Sequence, residues 1–262
     1  MANFIRSPKS GNDWTDNELL AYNIDVVIKS DKEFFGEVPE KLPEGISHQL
    51  LEYDFEKEKP EKDEELLIYM DLASQGSENV VHSFTQELLR TSGYRKKGRI
   101  INTGENMNLV VCAENRTTRT DVSILRPERS IVLLVQEDRM WIDLKYPEPQ
   151  VIAEAIAAFQ RNNRIRRKKI DRMMIPCIVM KGTLPRFYLV PVTKELNECV
   201  ITGQYPSNTT EVLIHTPKVS KRDIGAMRGK ENRKKILQCY ESFKQFVDNL
   251  ENLLMTPDIE IS

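Results

Sequence analysis

The feature that most limits what this chain can fold into is a continuous apolar run, IVLLV, at residues 131–135. It contains only β-branched residues and leucine, and it passes directly into the polar sequence QEDR at 136–139. A short apolar run without alternation is typical of a central strand that is covered on both faces. The sequence therefore predicts a central sheet with helices packed against it.

Other segments supply strands and helices around this run. Short β-branched or apolar segments predict strands over residues 23–29, 109–113, 120–125, 177–180 and 186–192. Helices are predicted over residues 15–22, 78–91, 147–163 and 231–255 from the spacing of apolar residues and from helix-entry signals. The helix at 147–163 begins with prolines and is rich in alanine. The order of helix, three strands, helix and strands predicts an α/β (α+β) domain with a mixed central sheet.

The predicted domain occupies residues 14–255. Residues 1–13 are expected to form a flexible arm and residues 256–262 a tail. Within the domain, residues 37–65 are acidic, are punctuated by prolines and have few apolar anchors, so we expect a partly flexible surface excursion there.

Charge is distributed unevenly along the chain. Lys and Arg number 38 against 40 Asp and Glu, giving a formal net charge of −2, which argues against a globally basic nucleic-acid-binding protein. The acidic first third is a possible surface for a protein partner. A basic run is a candidate contact to the backbone of DNA or RNA, or else a solvated helix edge; it comprises Arg161, Arg164, Arg166, Arg167, Lys168 and Lys169. A second basic cluster, over residues 222–235, is expected to extend the same face.

The sequence shows neither a recognisable signal peptide nor a membrane-spanning segment. Residues 2–14 are polar, and no run of about eighteen apolar residues occurs, so we expect an intracellular protein, cytoplasmic or nuclear, with no membrane partner. The four cysteines form no C-x-x-C pair, and none of the three histidines lies at ligand spacing from a cysteine. Free thiols are therefore expected, and neither a structural zinc site nor a catalytic histidine is predicted.

Two acidic residues flank the point where the predicted strands meet. Asp121 lies in one strand and Glu137 ends the next, so both carboxylates project at one place if the strands pair. Together with the backbone carbonyl of Asp138, they would supply oxygen ligands for Mg²⁺ or Mn²⁺. Arg139 lies two residues after Glu137 and shares its side of the strand, where a cation would stabilise a phosphate.

These residues resemble the D…(D/E)-x-K signature of the PD-(D/E)XK nuclease superfamily, over about residues 78–192. The resemblance implies a restriction-endonuclease-like αβββαβ core and metal-dependent hydrolysis of DNA or RNA phosphodiesters. It also implies an additional active-site residue at Gln150 and an acid from the preceding helix, Glu78 or Glu87. More narrowly, WTDNELLAYN, VQED, AEAIAAFQ and FYLVPVT resemble a large group of uncharacterised fungal proteins.

The chain departs from the signature at its last position. Arg139 stands where the superfamily has lysine, and arginine stays protonated, so it cannot act as a general base, although it can bind a phosphate with two hydrogen bonds. Three functions remain open: an active nuclease, a nuclease-derived module that binds nucleic acid or a protein without cleavage, and a protein-interaction factor. A purely structural alternative has Asp121 paired with Arg119 or Arg139, and Gln150 and Glu154 on the helix surface.

Overall fold

The computed structural model describes residues 6–56, 63–76, 78–137, 147–220 and 224–256, with the side chains of residues 78 and 79 excluded. Within these ranges the helices are α1 (Asp16–Ala21), α2 (Asp31–Phe35), α3 (His48–Glu52), α4 (Glu64–Ser74), α5 (Glu78–Thr91), α6 (Glu148–Arg164), α7 (Lys194–Thr202) and α8 (Lys230–Met255). The strands are β1 (Ile24–Ile28), β2 (Ile100–Val111), β3 (Glu114–Leu125), β4 (Ile131–Glu137), β5 (Arg172–Lys181), β6 (Leu184–Thr193) and β7 (Thr210–His215). Short 3₁₀ turns occupy Gly11–Asp13 and Ala226–Arg228.

The described strands form one mixed sheet in the order β1-β7-β6-β5-β4-β3-β2. Strands β2, β3 and β4 form an antiparallel meander, and β4 pairs in parallel with β5 after the crossover through α6. Strands β5, β6 and β7 continue antiparallel, while β1 pairs in parallel with β7. The predicted α/β class, with a mixed central sheet flanked by helices, is confirmed.

The central strand β4 is buried at every residue, as the apolar run predicts. Helices α6 and α8 both pack against β4 and β5, and α5 packs against β3. In α6 the alanines at 153, 155, 157 and 158 are all buried, so their small side chains let the helix lie close to the sheet.

The β2–β3 hairpin is longer than the sequence predicts. The sequence predicts strands over residues 109–113 and 120–125, but the paired strands cover 100–111 and 114–125. The additional residues are mostly polar, because they lie toward the edge of the sheet, where one face is exposed to solvent. Cys112 and Ala113 form the turn with φ of 49° and 60°, without the Asn-Gly or Asp-Gly signal that marks such turns.

Two segments that were expected to be loosely attached make defined contacts. In the predicted arm, the Arg6 Nε donates to the Ala21 carbonyl at 3.0 Å, and the Lys9 Nζ lies 2.6 Å from Glu18 Oε1. In the described part of the acidic excursion, Leu50 and Tyr53 are buried. None of the described helices is long and apolar enough for a membrane span.

Candidate metal site at the end of strand β4

The structure brings Asp121 and Glu137 together. Strands β3 and β4 are antiparallel neighbours, with Val122 opposite Val135, so Asp121 lies beside the end of β4. The Asp121 Oδ2 accepts a hydrogen bond from the Glu137 backbone N–H at 2.9 Å. Each residue is 8% exposed, which leaves both carboxylates at the edge of the interior rather than in open solvent.

A histidine from α5 completes one side of this cluster. The His82 Nδ1 lies 3.1 Å from Glu137 Oε1, with 31% of the histidine side chain exposed. The hydrogen bond to Glu137 raises the pKa of His82 above its ordinary value, and the charges of Glu137 and Asp121 act in the same direction, against the effect of burial. No role is predicted for this histidine from the sequence, where the only signal is its position beside the apolar stripe of α5.

Helix α6 contributes a buried carboxyl group from the other direction. Glu154 is fully buried, and its Oε1 accepts a hydrogen bond from the Gln150 Nε2 at 3.2 Å. Burial raises the pKa of Glu154 well above its ordinary value and the charge of Asp121 adds to this, while hydrogen bonds from Gln150 and Thr120 act in the opposite direction. Glu154 lies in the interior, so the surface alternative for this residue is wrong.

The remaining predicted members of the site lie elsewhere or outside the described residues. Glu87 pairs with Arg90 on the same helix. Glu78 is the first residue of α5, and its side chain is outside the described part of the chain, as are Asp138 and Arg139. The roles of Glu78, Asp138 and Arg139 therefore stay predictions.

The basic run lies at the opposite end of α6 from the carboxylates. From Gln150 to Arg164 the helix rises about 20 Å. Several of the basic side chains bind the protein itself: Arg161 Nη1 lies 2.5 Å from Glu105 Oε1, and Arg166 donates to the carbonyls of Leu254 and Thr256 at 2.5 and 3.0 Å. Lys169 donates to two backbone carbonyls of the same loop. The exposed members are Arg164, Arg167, Lys168 and Lys169.

A cavity of about 420 Å³ opens beside this end of α6. Arg161, Arg164 and Lys169 line it together with Phe159 and Ile201. In the second basic cluster Arg233 is fully buried beneath α3, whereas Lys230, Lys234 and Lys235 are exposed. That this cluster extends the same face stays a prediction.

Comparison with protein-family models found no match, and comparison with curated proteins found no matching sequence. The chemistry of the cluster is accordingly argued from its own residues. Asp121 contacts the backbone of Glu137, His82 contacts the Glu137 carboxylate, and Glu154 approaches Asp121 from α6. Carboxylate oxygens are the donors that hard divalent cations prefer.

Proposed function

We propose that the protein is a divalent-metal-dependent nuclease of the PD-(D/E)XK type, acting on phosphodiesters of DNA or RNA. The observation that carries the proposal is the hydrogen bond from the Glu137 backbone N–H to Asp121 Oδ2 at 2.9 Å. This bond joins the side chain of Asp121 in β3 to the backbone of Glu137 at the end of β4. Asp121 and Glu137 are the proposed ligands of Mg²⁺ or Mn²⁺.

The topology around the pair supports the proposal. A helix, an antiparallel three-stranded meander, a crossover helix and a parallel strand follow one another from α5 to β5. This order and pairing agree with the αβββαβ core that the resemblance implies. Fold alone does not establish an activity, so the proposal depends on the cluster.

The residues fit a hard divalent cation. Asp121 and Glu137 offer carboxylate oxygens, and the buried Glu154 carboxyl group lies near Asp121. Burying ionised carboxylates in this way is costly unless a cation is nearby. A hard cation beside Asp121 would reduce that cost.

Each side chain has a defined part in such a site. Bound Mg²⁺ or Mn²⁺ supplies Lewis-acid stabilisation of phosphoryl oxygens and lowers the pKa of a coordinated water. The His82 imidazole hydrogen-bonds Glu137 Oε1 and fixes the direction of that carboxylate, as outer partners of metal ligands do. The Gln150 amide holds Glu154. Arg139 is proposed to bind the phosphate, and no proton transfer is assigned to it.

Cleavage assays test the proposal. End-labelled single- and double-stranded DNA and RNA would be incubated with the purified chain in Mg²⁺, in Mn²⁺ and in EDTA. We expect cleavage only with the metal, and Asp121→Asn and Glu137→Gln to lower its rate on the order of 10²-fold or more. Both changes preserve side-chain shape, and in Asp121→Asn the amide oxygen can still accept the hydrogen bond from the Glu137 N–H.

The matched control is Glu198→Gln, which removes an exposed carboxylate on α7 and should leave the rate unchanged. An Asp121→Asn preparation that cuts as fast as the wild type contradicts the proposal. So does a wild-type chain that cuts none of these substrates.

The second candidate is a nuclease-derived module that binds nucleic acid without cutting it. It is favoured by Arg139 and by the separation of the exposed basic side chains from the carboxylates. This candidate predicts binding that weakens with salt, needs no metal and is unchanged in Glu137→Gln.

A further inference from the structure

A second group of metal-ligating side chains lies away from the carboxylate cluster. Asp31 begins α2, His215 ends β7, and Cys239 lies in α8. One donor atom of each lies within 4.8 Å of the donor atoms of the other two. No spacing rule could have found this group, because the three residues come from distant parts of the chain.

The histidine shows how the group is arranged. The His215 Nδ1 lies 3.2 Å from the Lys29 backbone oxygen, and its Nε2 lies 3.2 Å from Asp31 Oδ1. A neutral imidazole has a single N–H, and a backbone carbonyl can only accept. If Nδ1 donates to Lys29, Nε2 faces a carboxylate oxygen, and that contact is attractive only when a cation lies between the two atoms or when the imidazole is protonated.

We propose that Asp31, His215 and Cys239 bind one divalent transition-metal ion of the zinc class, with water as the fourth ligand. The proposal is independent of the nuclease. A histidine that donates its other N–H to a backbone carbonyl is the usual arrangement at metal sites. Thiolate and imidazole ligands select zinc-like ions over Mg²⁺ or Ca²⁺.

The distances and exposure agree with a tetrahedral site. Bonds of roughly 2.0 to 2.2 Å subtend about 3.3 to 3.6 Å between oxygen and nitrogen ligands at a tetrahedral centre. The observed Nε2 to Oδ1 separation of 3.2 Å is close to this, so little movement is needed. Asp31 is 24% exposed in its side chain while His215 is 1% exposed, which leaves a solvent side for water.

The charge balance of the site is favourable. A dication with one thiolate and one carboxylate leaves no net charge. Phe34 and Phe35 pack on the His215 ring, with ring centroids at 5.5 and 5.0 Å, and they exclude water from that side. Electrostatic attraction is stronger where water is excluded. The ion would join α2, β7 and α8, and so hold the N-terminal part of the chain against the C-terminal helix.

The same three residue types occur in cysteine hydrolases, but the geometry argues against that activity here. Both ring nitrogens lie 3.2 Å from oxygen atoms, of Lys29 and of Asp31. Cys239 is 4% exposed. A nucleophilic cysteine is accessible and stabilised as the thiolate.

Cobalt spectroscopy tests the proposal on the full chain. The reduced, chelator-treated protein would be titrated with Co²⁺, whose bond to a thiolate gives a near-ultraviolet charge-transfer band. We expect the band to saturate at one Co²⁺ per chain, to disappear with Zn²⁺ and to persist in excess Mg²⁺. It should be absent in Cys239→Ser and unchanged in Cys177→Ala, which alters a different buried thiol.

Asp31→Asn is the second variant, because the side chain is partly exposed and the change preserves its shape. We expect it to weaken Co²⁺ binding by at least about tenfold. Zn²⁺ should raise the melting temperature of the wild type and raise it less in Asp31→Asn. A wild-type chain without the thiolate band, or a band that survives in Cys239→Ser, overturns the proposal. Melting that does not respond to Zn²⁺ also overturns it, and leaves a metal-free ion pair between His215 and Asp31.

Discussion

At the scale of single residues, the cluster contains side chains whose ionisation is set by their neighbours. Asp121 and Glu137 were predictable because strand alternation and the end of an apolar run place them. His82 and Glu154 were not, because each depends on how a helix is rotated against the sheet. A single sequence gives the spacing of Gln150 and Glu154 along α6 but does not show which of them becomes buried.

Glu154→Gln is expected to make the protein more stable at high pH. The pKa of Glu154 is raised well above 4.5 by burial, so above pH 4.5 the unfolded chain ionises there while the folded chain does not. Glutamine removes this cost and still accepts from Gln150. The gain should be near zero at pH 4 and should grow as the pH rises above 4.5.

Urea unfolding of both proteins across that pH range measures the gain. A difference in the free energy of unfolding that is constant with pH would show that Glu154 ionises normally in the folded chain.

The contact between His82 and Glu137 should also stabilise the protein less as the pH rises. Because Glu137 raises the pKa of His82 above 6.5, the contact contributes fully below pH 6.5 and is lost as the pH rises through the raised value. NMR titration of the His82 ring should show the raised pKa in the wild type and a lower one in Glu137→Gln. Equal values in the two proteins would mean that Glu137 does not set the charge of His82.

At the scale of elements, the sequence predicted the long periodic helices and the central strand better than the peripheral pieces. Strand β7 and helix α7 were missed, and the polar half of the β2–β3 hairpin was missed with them. Strand β7 has only six residues, which give little apolar pattern although it lies between β1 and β6. Strand β2 is at the edge of the sheet, where a helix supplies part of its backbone contacts: the Gln160 amide bonds both the N–H and the carbonyl of Val110, at 2.8 and 3.0 Å.

The side chain of Arg233 connects α8 to the segment around α3 by hydrogen bonds. The guanidinium is fully buried and donates to backbone carbonyls of Leu50, Leu51, Tyr53, Met227 and Arg228. Desolvation lowers the pKa of Arg233 to about 10, so it remains charged at neutral pH. Arg233→Ala should cost at least about 3 kcal/mol in the free energy of unfolding, because those carbonyls would be left buried without a donor.

Urea unfolding against Lys234→Ala, the exposed neighbour, measures that cost. A difference of less than about 1 kcal/mol between the two variants would show that the buried bonds do not hold α3 in place.

At the scale of the whole molecule, one sheet carries the proposed catalytic cluster at β3 and β4 and the proposed zinc-class site beyond β6, at β7. The basic run adds a third region, at the far end of α6. The sequence alone could not predict which distant residues come into contact. Contacts such as that of His215 with Asp31 depend on the order of the strands and not on local pattern.

Removing an exposed charge from the basic run should weaken nucleic-acid binding without changing cleavage chemistry. Arg164→Ala and Arg167→Ala are each expected to weaken binding similarly for all nucleic-acid sequences. Each should also reduce the slope of log affinity against log salt concentration by about one. Arg166→Ala should instead loosen the end of α8, because Arg166 donates to the carbonyls of Leu254 and Thr256. Fluorescence anisotropy at several salt concentrations measures the first effect. Affinity that is unchanged in Arg164→Ala and Arg167→Ala would place the nucleic acid on another surface.

Mn²⁺ binding tests the carboxylate cluster most directly, because it requires no knowledge of the substrate. Calorimetric titration of the wild type should show a site that is weakened at least about tenfold in Asp121→Asn and in Glu137→Gln, and kept in Glu198→Gln and in Asp31→Asn. A wild-type chain that binds no Mn²⁺ at millimolar concentration, or binding that is equal in Asp121→Asn, would contradict the account.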